Sequence, residues 1–189
     1  MSLHLEFLEF ETNKTFTKLH EDFYQGKKRK NDLEIESRRL FRNPAIKKQK
    51  YQKSPTNREL SIIQPVLFKA FSLLIHKGFR DFDPKTVTVE FQRRNYSNLG
   101  KNNGNHFDLV WHADDYSVDP WKVYTVIFYL RKDSTVRGGN FFYEENEKEY
   151  EIKVSEGLCL IFPGYINHSP QHGTGFGCRD SIVVLVKKK

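Results

Sequence analysis

Thr86-Val87-Thr88-Val89-Glu90-Phe91 decides the fold, because three apolar residues alternate there with three polar or charged ones. A period of 2 is the mark of a half-buried strand. Upstream the rhythm is different: Ile63, Val66/Leu67, Ala70/Phe71 and Leu74 recur at helical spacing, Pro65 stands near the start and Gly78 provides a stop. The spacing predicts a helix over about 60–77 with one buried face. Earlier still, Leu3, Leu5 and Phe7 alternate like a strand, and Phe16, Leu19 and Phe23 suit a helix. Downstream of 86–91, strand-like runs follow at 106–112, 122–130, 139–144, 148–154, 157–162, 166–171 and 180–186. Gly, Asn, Asp and Pro punctuate them and no helical pattern intervenes, which indicates an antiparallel architecture and excludes a parallel α/β sheet. The expected fold is mainly β, a double-stranded β-helix or jelly roll, with the N-terminal helical elements packed on one side.

A chain of 189 residues suits one such domain. Its 38% hydrophobic and 14% aromatic content excludes wholesale disorder. The formal charge of +7 is concentrated: residues 25–58 carry 12 Lys/Arg against three acids, including Lys27-Lys28-Arg29-Lys30. The expected division is therefore an N-terminal extension over 1–58 with the basic segment 25–58, followed by a catalytic domain over 59–189. Such a segment suits phosphate contacts or a nuclear address, and equally a solvated surface. No apolar run reaches the length of a membrane span, and no membrane partner is expected. Met1-Ser2-Leu3-His4-Leu5-Glu6 lacks the basic flank and apolar stretch of a secretory signal, so an intracellular location, cytoplasmic or nuclear, is expected. Cys159 and Cys178 are too few for a disulfide scaffold and read as free thiols in a reducing compartment.

His112-Ala113-Asp114 sets two metal-binding groups two residues apart, so both side chains can point to one side of an extended segment. His168 follows 54 residues after Asp114, beyond Gly157–Phe162 and the Pro163-Gly164 turn signal. Two His and one carboxylate can occupy one face of an octahedral ion and leave three positions open, the pattern of non-haem Fe(II) oxygenases. The pair alone is not specific, since His106-Phe107-Asp108 has the same spacing. Arg179, 11 residues after His168, opens the last apolar strand, and Ser181 is in phase with it. An Arg directed into a barrel requires an anion such as a carboxylate. His172 lies in a Gly-flanked loop and suits a solvated or substrate-facing role.

Taken together, His112, Asp114, the strand Val123–Leu130, Gly138-Gly139-Asn140-Phe141-Phe142, His168 and Arg179-x-Ser181 resemble the Fe(II)- and 2-oxoglutarate-dependent dioxygenases, especially their prolyl hydroxylase-like branch, over about 85–186. The resemblance implies that His112, Asp114 and His168 hold Fe(II). It also implies that Arg179 binds the distal carboxylate of 2-oxoglutarate with Ser181 in support. The spacing to Val123 and the apolar lead-in Val110-Trp111 favour His112/Asp114 over His106/Asp108. Tyr129 matches the Tyr whose hydroxyl reaches that carboxylate, although a core aromatic would look the same in sequence. Tyr96 resembles the family's Tyr on the strand before the metal pair, followed here by a longer, Gly/Asn-rich segment over 97–105. The implied reaction consumes O2 and 2-oxoglutarate, with ascorbate as an accessory reductant, and hydroxylates a C–H bond. Asp114 favours hydroxylation over halogenation, because related halogenases lack the carboxylate ligand. The expected substrate is a peptidyl residue of an intracellular protein. Oxidation or demethylation of a nucleic-acid base, with residues 25–58 on the phosphates, is the alternative, and a non-catalytic metal-binding jelly roll is the second.

Overall fold

A computed structural model of the chain describes residues 2–24, 36–39, 57–96, 111–114, 122–171 and 173–189. In chain order the elements are β1 (His4–Phe7), α1 (Phe10–Tyr24), β2 (Glu36–Arg39), α2 (Asn57–His76), β3 (Phe82–Tyr96), β4 (Val123–Lys132), β5 (Arg137–Gly138) and β6 (Phe141–Glu145). They continue as β7 (Lys148–Ile152), β8 (Leu158–Pro163), β9 (His168–Pro170), β10 (Gly173–Thr174) and β11 (Gly177–Lys188). A six-stranded sheet runs β1-β8-β4-β11-β3-β2, a three-stranded sheet β7-β6-β9, and β10 pairs with β5. Every pairing is antiparallel, as the short punctuated strands require.

The main sheet is buried on both faces, and strand parity separates the two. Val89 and Phe91 of β3, Tyr124, Val126 and Phe128 of β4, Cys159 and Ile161 of β8, and Ile182, Val184 and Val186 of β11 form one core with the helices. From α2 that core receives Ile63, Val66, Ala70 and Leu74, the stripe of an amphipathic helix. The alternate residues Ile127, Tyr129, Leu158, Leu160 and Phe162 meet Phe141 of β6 in a second core between the sheets. Fully buried side chains of this size each stabilise the fold by roughly 1.5–3 kcal/mol.

Helix α2 starts at Asn57, so Pro65 lies inside it and not at its first turn. The ring sits on the exposed side, and the helix continues because Ile63 and Val66 on either side are anchored in the core. Both N-terminal expectations are met in succession: β1 pairs with β8 at the sheet edge, and Phe16 of α1 packs edge-on against Phe128. Residues 4–24 are therefore part of the same layered structure. The basic segment 25–58 lies outside the described residues except for β2, which pairs with β3, and the start of α2. The short strands β2, β5 and β10 add to the expected ones, and most of the 106–112 run lies outside the described residues. Cys159 and Cys178 are both free and buried. No helix among the described residues is long and apolar enough to cross a membrane.

Candidate metal centre and anion pocket

His168 begins β9 and His112 forms an antiparallel bridge with it, so two residues 56 apart in sequence become side-by-side neighbours. Both bridge hydrogen bonds form: the His112 amide donates to the His168 carbonyl at 3.0 Å and the His168 amide to the His112 carbonyl at 2.8 Å. Their rings lie 4.4 Å apart, centre to centre. The Asp114 amide donates to the Gly164 carbonyl at 2.7 Å, which ties the His-x-Asp segment to the turn after β8. Asp114 Oδ1 is 4.0 Å from His112 Nε2, and Oδ2 is 3.9 Å from His168 Nε2. The ligand atoms of all three residues lie within 4.8 Å of one another.

His168 is 4% exposed, stacked on Phe141 and edge-on to Phe162. Its Nδ1 lies 3.0 Å from the Ile166 carbonyl. A carbonyl only accepts, so Nδ1 carries the proton and Nε2 keeps its lone pair toward Asp114. Burial lowers the His168 pKa below the ordinary histidine value, against the opposing pull of Asp114. A neutral imidazole with an oriented second nitrogen is the form that binds a metal. The donor set therefore fits an Fe(II) ion: two imidazoles and one carboxylate converging from one side.

Arg179 is 2% exposed on the inner face of β11, as its parity requires. Its Nη1 donates to the Gly139 carbonyl, and its guanidinium lies 5.7 Å from the centre of the Tyr129 ring. Ser181 stands opposite Tyr129 in register, and both are buried. Tyr96 is buried beside the same glycine: a Cβ added to Gly139 would lie 3.4 Å from the Tyr96 hydroxyl and 3.2 Å from Arg179 Nη1. Gly173 closes the other side, where a Cβ would come within 2.7 Å of the Tyr96 ring. Thus Arg179, Ser181, Tyr129 and Tyr96 cluster on the inner face.

Gly139 has φ +66°, in the left-handed region, and lies against both Arg179 and Tyr96. Gly139→Ala is expected to cost about 1–2 kcal/mol of stability from the backbone conformation alone. It should also crowd Arg179 and weaken anion binding several-fold. Thermal melting and 2-oxoglutarate titration of the same variant check both expectations.

His106, Asp108 and His172 lie outside the described residues, as do 97–105 and 115–121. Three features of the site were not anticipated from sequence. Thr125 Oγ1 donates to Asp114 Oδ2 at 2.6 Å. Phe141 and Phe162 wall in His168. Arg94 and Lys132 flank Arg179 at one register across three strands. The Lys132 pKa is lowered, first by burial and then by Arg179. Strand parity could have placed Thr125 on the inner face with Tyr129; Lys132 has the opposite parity and stands opposite Arg179 only because of the register shift between Asp180 and Ser181.

No protein-family model matches the sequence, and no curated protein does. Solved structures do match. A prolyl-4-hydroxylase from Pseudomonas putida superposes with a TM-score of 0.61 at 13% identity, covering 100% of this chain and 92% of that one. A prolyl hydroxylase from Trichoplax adhaerens, in complex with a hypoxia inducible factor oxygen degradation domain peptide fragment, gives 0.61 at 14% identity, covering 98% and 83%. An oxidoreductase of the 2OG-Fe(II) oxygenase family from Burkholderia pseudomallei gives 0.59 at 14% identity, covering 82% and 67%. At such identities the likeness is one of architecture, and the architecture is clear: this chain is built on the double-stranded β-helix of the 2-oxoglutarate/Fe(II) oxygenase structures.

Proposed function

We propose that this protein is an Fe(II)- and 2-oxoglutarate-dependent oxygenase that hydroxylates a C–H bond of a peptidyl residue in an intracellular protein. The observation that carries this reading is the convergence of His112, Asp114 and His168, with buried Arg179 on the inner face of the same barrel. The metal, when bound, activates O2 so that R–H, 2-oxoglutarate and O2 become R–OH, succinate and CO2. Ascorbate would keep it reduced.

The chain's own contribution is positioning and dryness. His112 and His168 would supply neutral nitrogens, and Asp114 a charge that offsets the cation. Three protein ligands leave room for a bidentate 2-oxo acid and O2. Arg179 would hold the distal carboxylate through parallel N–H bonds, with the Ser181 and Tyr129 hydroxyls donating to the same group and Tyr96 bounding the pocket. Phe141 and Phe162 exclude water from the His168 side.

Two observations favour a peptide substrate. The Trichoplax protein of the same fold is in complex with a peptide. The β6–β7 hairpin, whose strand β6 pairs with β9 at His168, carries five Glu against one Lys over 141–152, a surface that repels phosphates. Free buried thiols at Cys159 and Cys178 agree with an intracellular setting. Candidate peptides incubated with Fe(II), ascorbate and 2-oxoglutarate should gain one oxygen by mass spectrometry, and oligonucleotides should not. Iron binding without 2-oxoglutarate turnover on any substrate would instead favour a non-catalytic metal-binding module.

The +9 segment 25–58 favours the second reading, oxidation of a nucleic-acid base. If it holds, affinity for an oligonucleotide should fall steeply between about 50 and 200 mM salt, and neutralising Lys27–Lys30 should flatten the slope. Salt-insensitive or absent binding removes that reading.

A further inference from the structure

We infer that Thr125 is a positioning residue that fixes Asp114 as a one-oxygen metal ligand. The assignment rests on the metal-site reading above. Thr125 is fully buried on the inner face of β4, opposite Phe162 of β8 and Leu185 of β11. Its hydroxyl donates to Asp114 Oδ2 at 2.6 Å, the length of a charge-assisted O–H···O⁻ bond, which is about twice as strong as a neutral one. A β-branched side chain on a strand is stiff about χ1, so the donor is held in place before any metal arrives.

The geometry fixes both ends of the Asp114 side chain. Its backbone is tied to Gly164 and its Oδ2 to Thr125, which leaves Oδ1 as the oxygen without that tether, 4.0 Å from His112 Nε2. Without the hydroxyl, the carboxylate can turn about its Cβ–Cγ bond and offer both oxygens to the ion. Chelation by both oxygens would occupy a position that the 2-oxo acid or O2 requires. Thr125 therefore acts on metal affinity and on the number of open positions, through Asp114.

The test uses the full chain and Co(II) alone, so it needs no turnover. Thr125→Val keeps the shape and removes the hydroxyl. It is expected to weaken Co(II) binding about 10–100-fold, the usual effect of losing a group that orients a ligand, without lowering the melting temperature of the metal-free protein. Thr125→Ala should match it, which covers the case of a valine variant that does not fold. Thr125→Ser should keep near-wild-type Co(II) affinity even though losing the methyl lowers the melting temperature. The visible Co(II) spectrum should differ between wild type and Thr125→Val and coincide between wild type and Thr125→Ser. Wild-type affinity in the valine and alanine variants overturns the assignment alone, as does a serine variant that loses as much affinity as valine. Failure of the wild type to bind Co(II) overturns the metal-site reading and this assignment with it.

Discussion

Replacing His168 by Ala is expected to abolish Fe(II) binding and succinate release from 2-oxoglutarate, while His106→Ala should leave both at wild-type levels. His168 is tightly held: its amide and carbonyl bridge to His112, its Nδ1–H is bound to the Ile166 carbonyl, and two aromatic rings lie against it. Only Nε2 is left for the metal. Losing one of three protein ligands should exceed the roughly 10–100-fold cost of losing a group that merely orients one. His112→Ala should behave alike, because the two imidazoles enter the site together across the bridge. Metal titration and succinate assay, with circular dichroism to show that each variant is folded, separate ligand loss from unfolding. Iron loss confined to the His106 variant would transfer the ligand role to His106/Asp108.

Arg179→Lys is expected to weaken 2-oxoglutarate binding by about 1–3 kcal/mol and to leave Fe(II) affinity nearly intact. Arg179 is buried on the inner face, donates to the Gly139 carbonyl and faces the Tyr129 ring, so its planar fork is already oriented. Lysine offers a single flexible charge and cannot serve Gly139 and a carboxylate in the same plane. Lys132 and Arg94 stand at the same register, so a lysine at 179 would still sit in a cationic row, and the measured loss reports lost geometry more than lost charge. Titrating metal and cosubstrate on the same variant distinguishes this from general damage. Normal 2-oxoglutarate affinity, or loss of iron instead, would withdraw the anion role from Arg179.

Much of this arrangement was legible because strand parity survives folding. Alternation at 86–91 fixed the faces of β3, and the two-residue step from Arg179 to Ser181 set both side chains on the inner face. Tyr129 fell in phase with Thr125 and Ile127 for the same reason. What stayed hidden depends on pairing between distant strands. A bulge between Asp180 and Ser181 shifts the register against β4, so Arg179 meets Lys132 while Ser181 meets Tyr129. The His112–His168 bridge and the Thr125–Asp114 bond likewise join segments that share no local signal. Two charged or titratable residues the sequence analysis did not single out, Asp180 and His20, are both buried on the helix side, with Asp180 held by Arg93 through two 2.8 Å bonds. A bidentate Arg–carboxylate pair makes that burial possible.

Oxygen labelling tests the central claim most directly. With 18O2, Fe(II), 2-oxoglutarate and a peptide that the wild-type protein hydroxylates, the proposed chemistry places one heavy oxygen atom in succinate and the other in the new hydroxyl group. That outcome, lost together in the His168→Ala variant, is the result expected. Label entering from H218O alone, or heavy succinate in equal yield from His168→Ala, would contradict it.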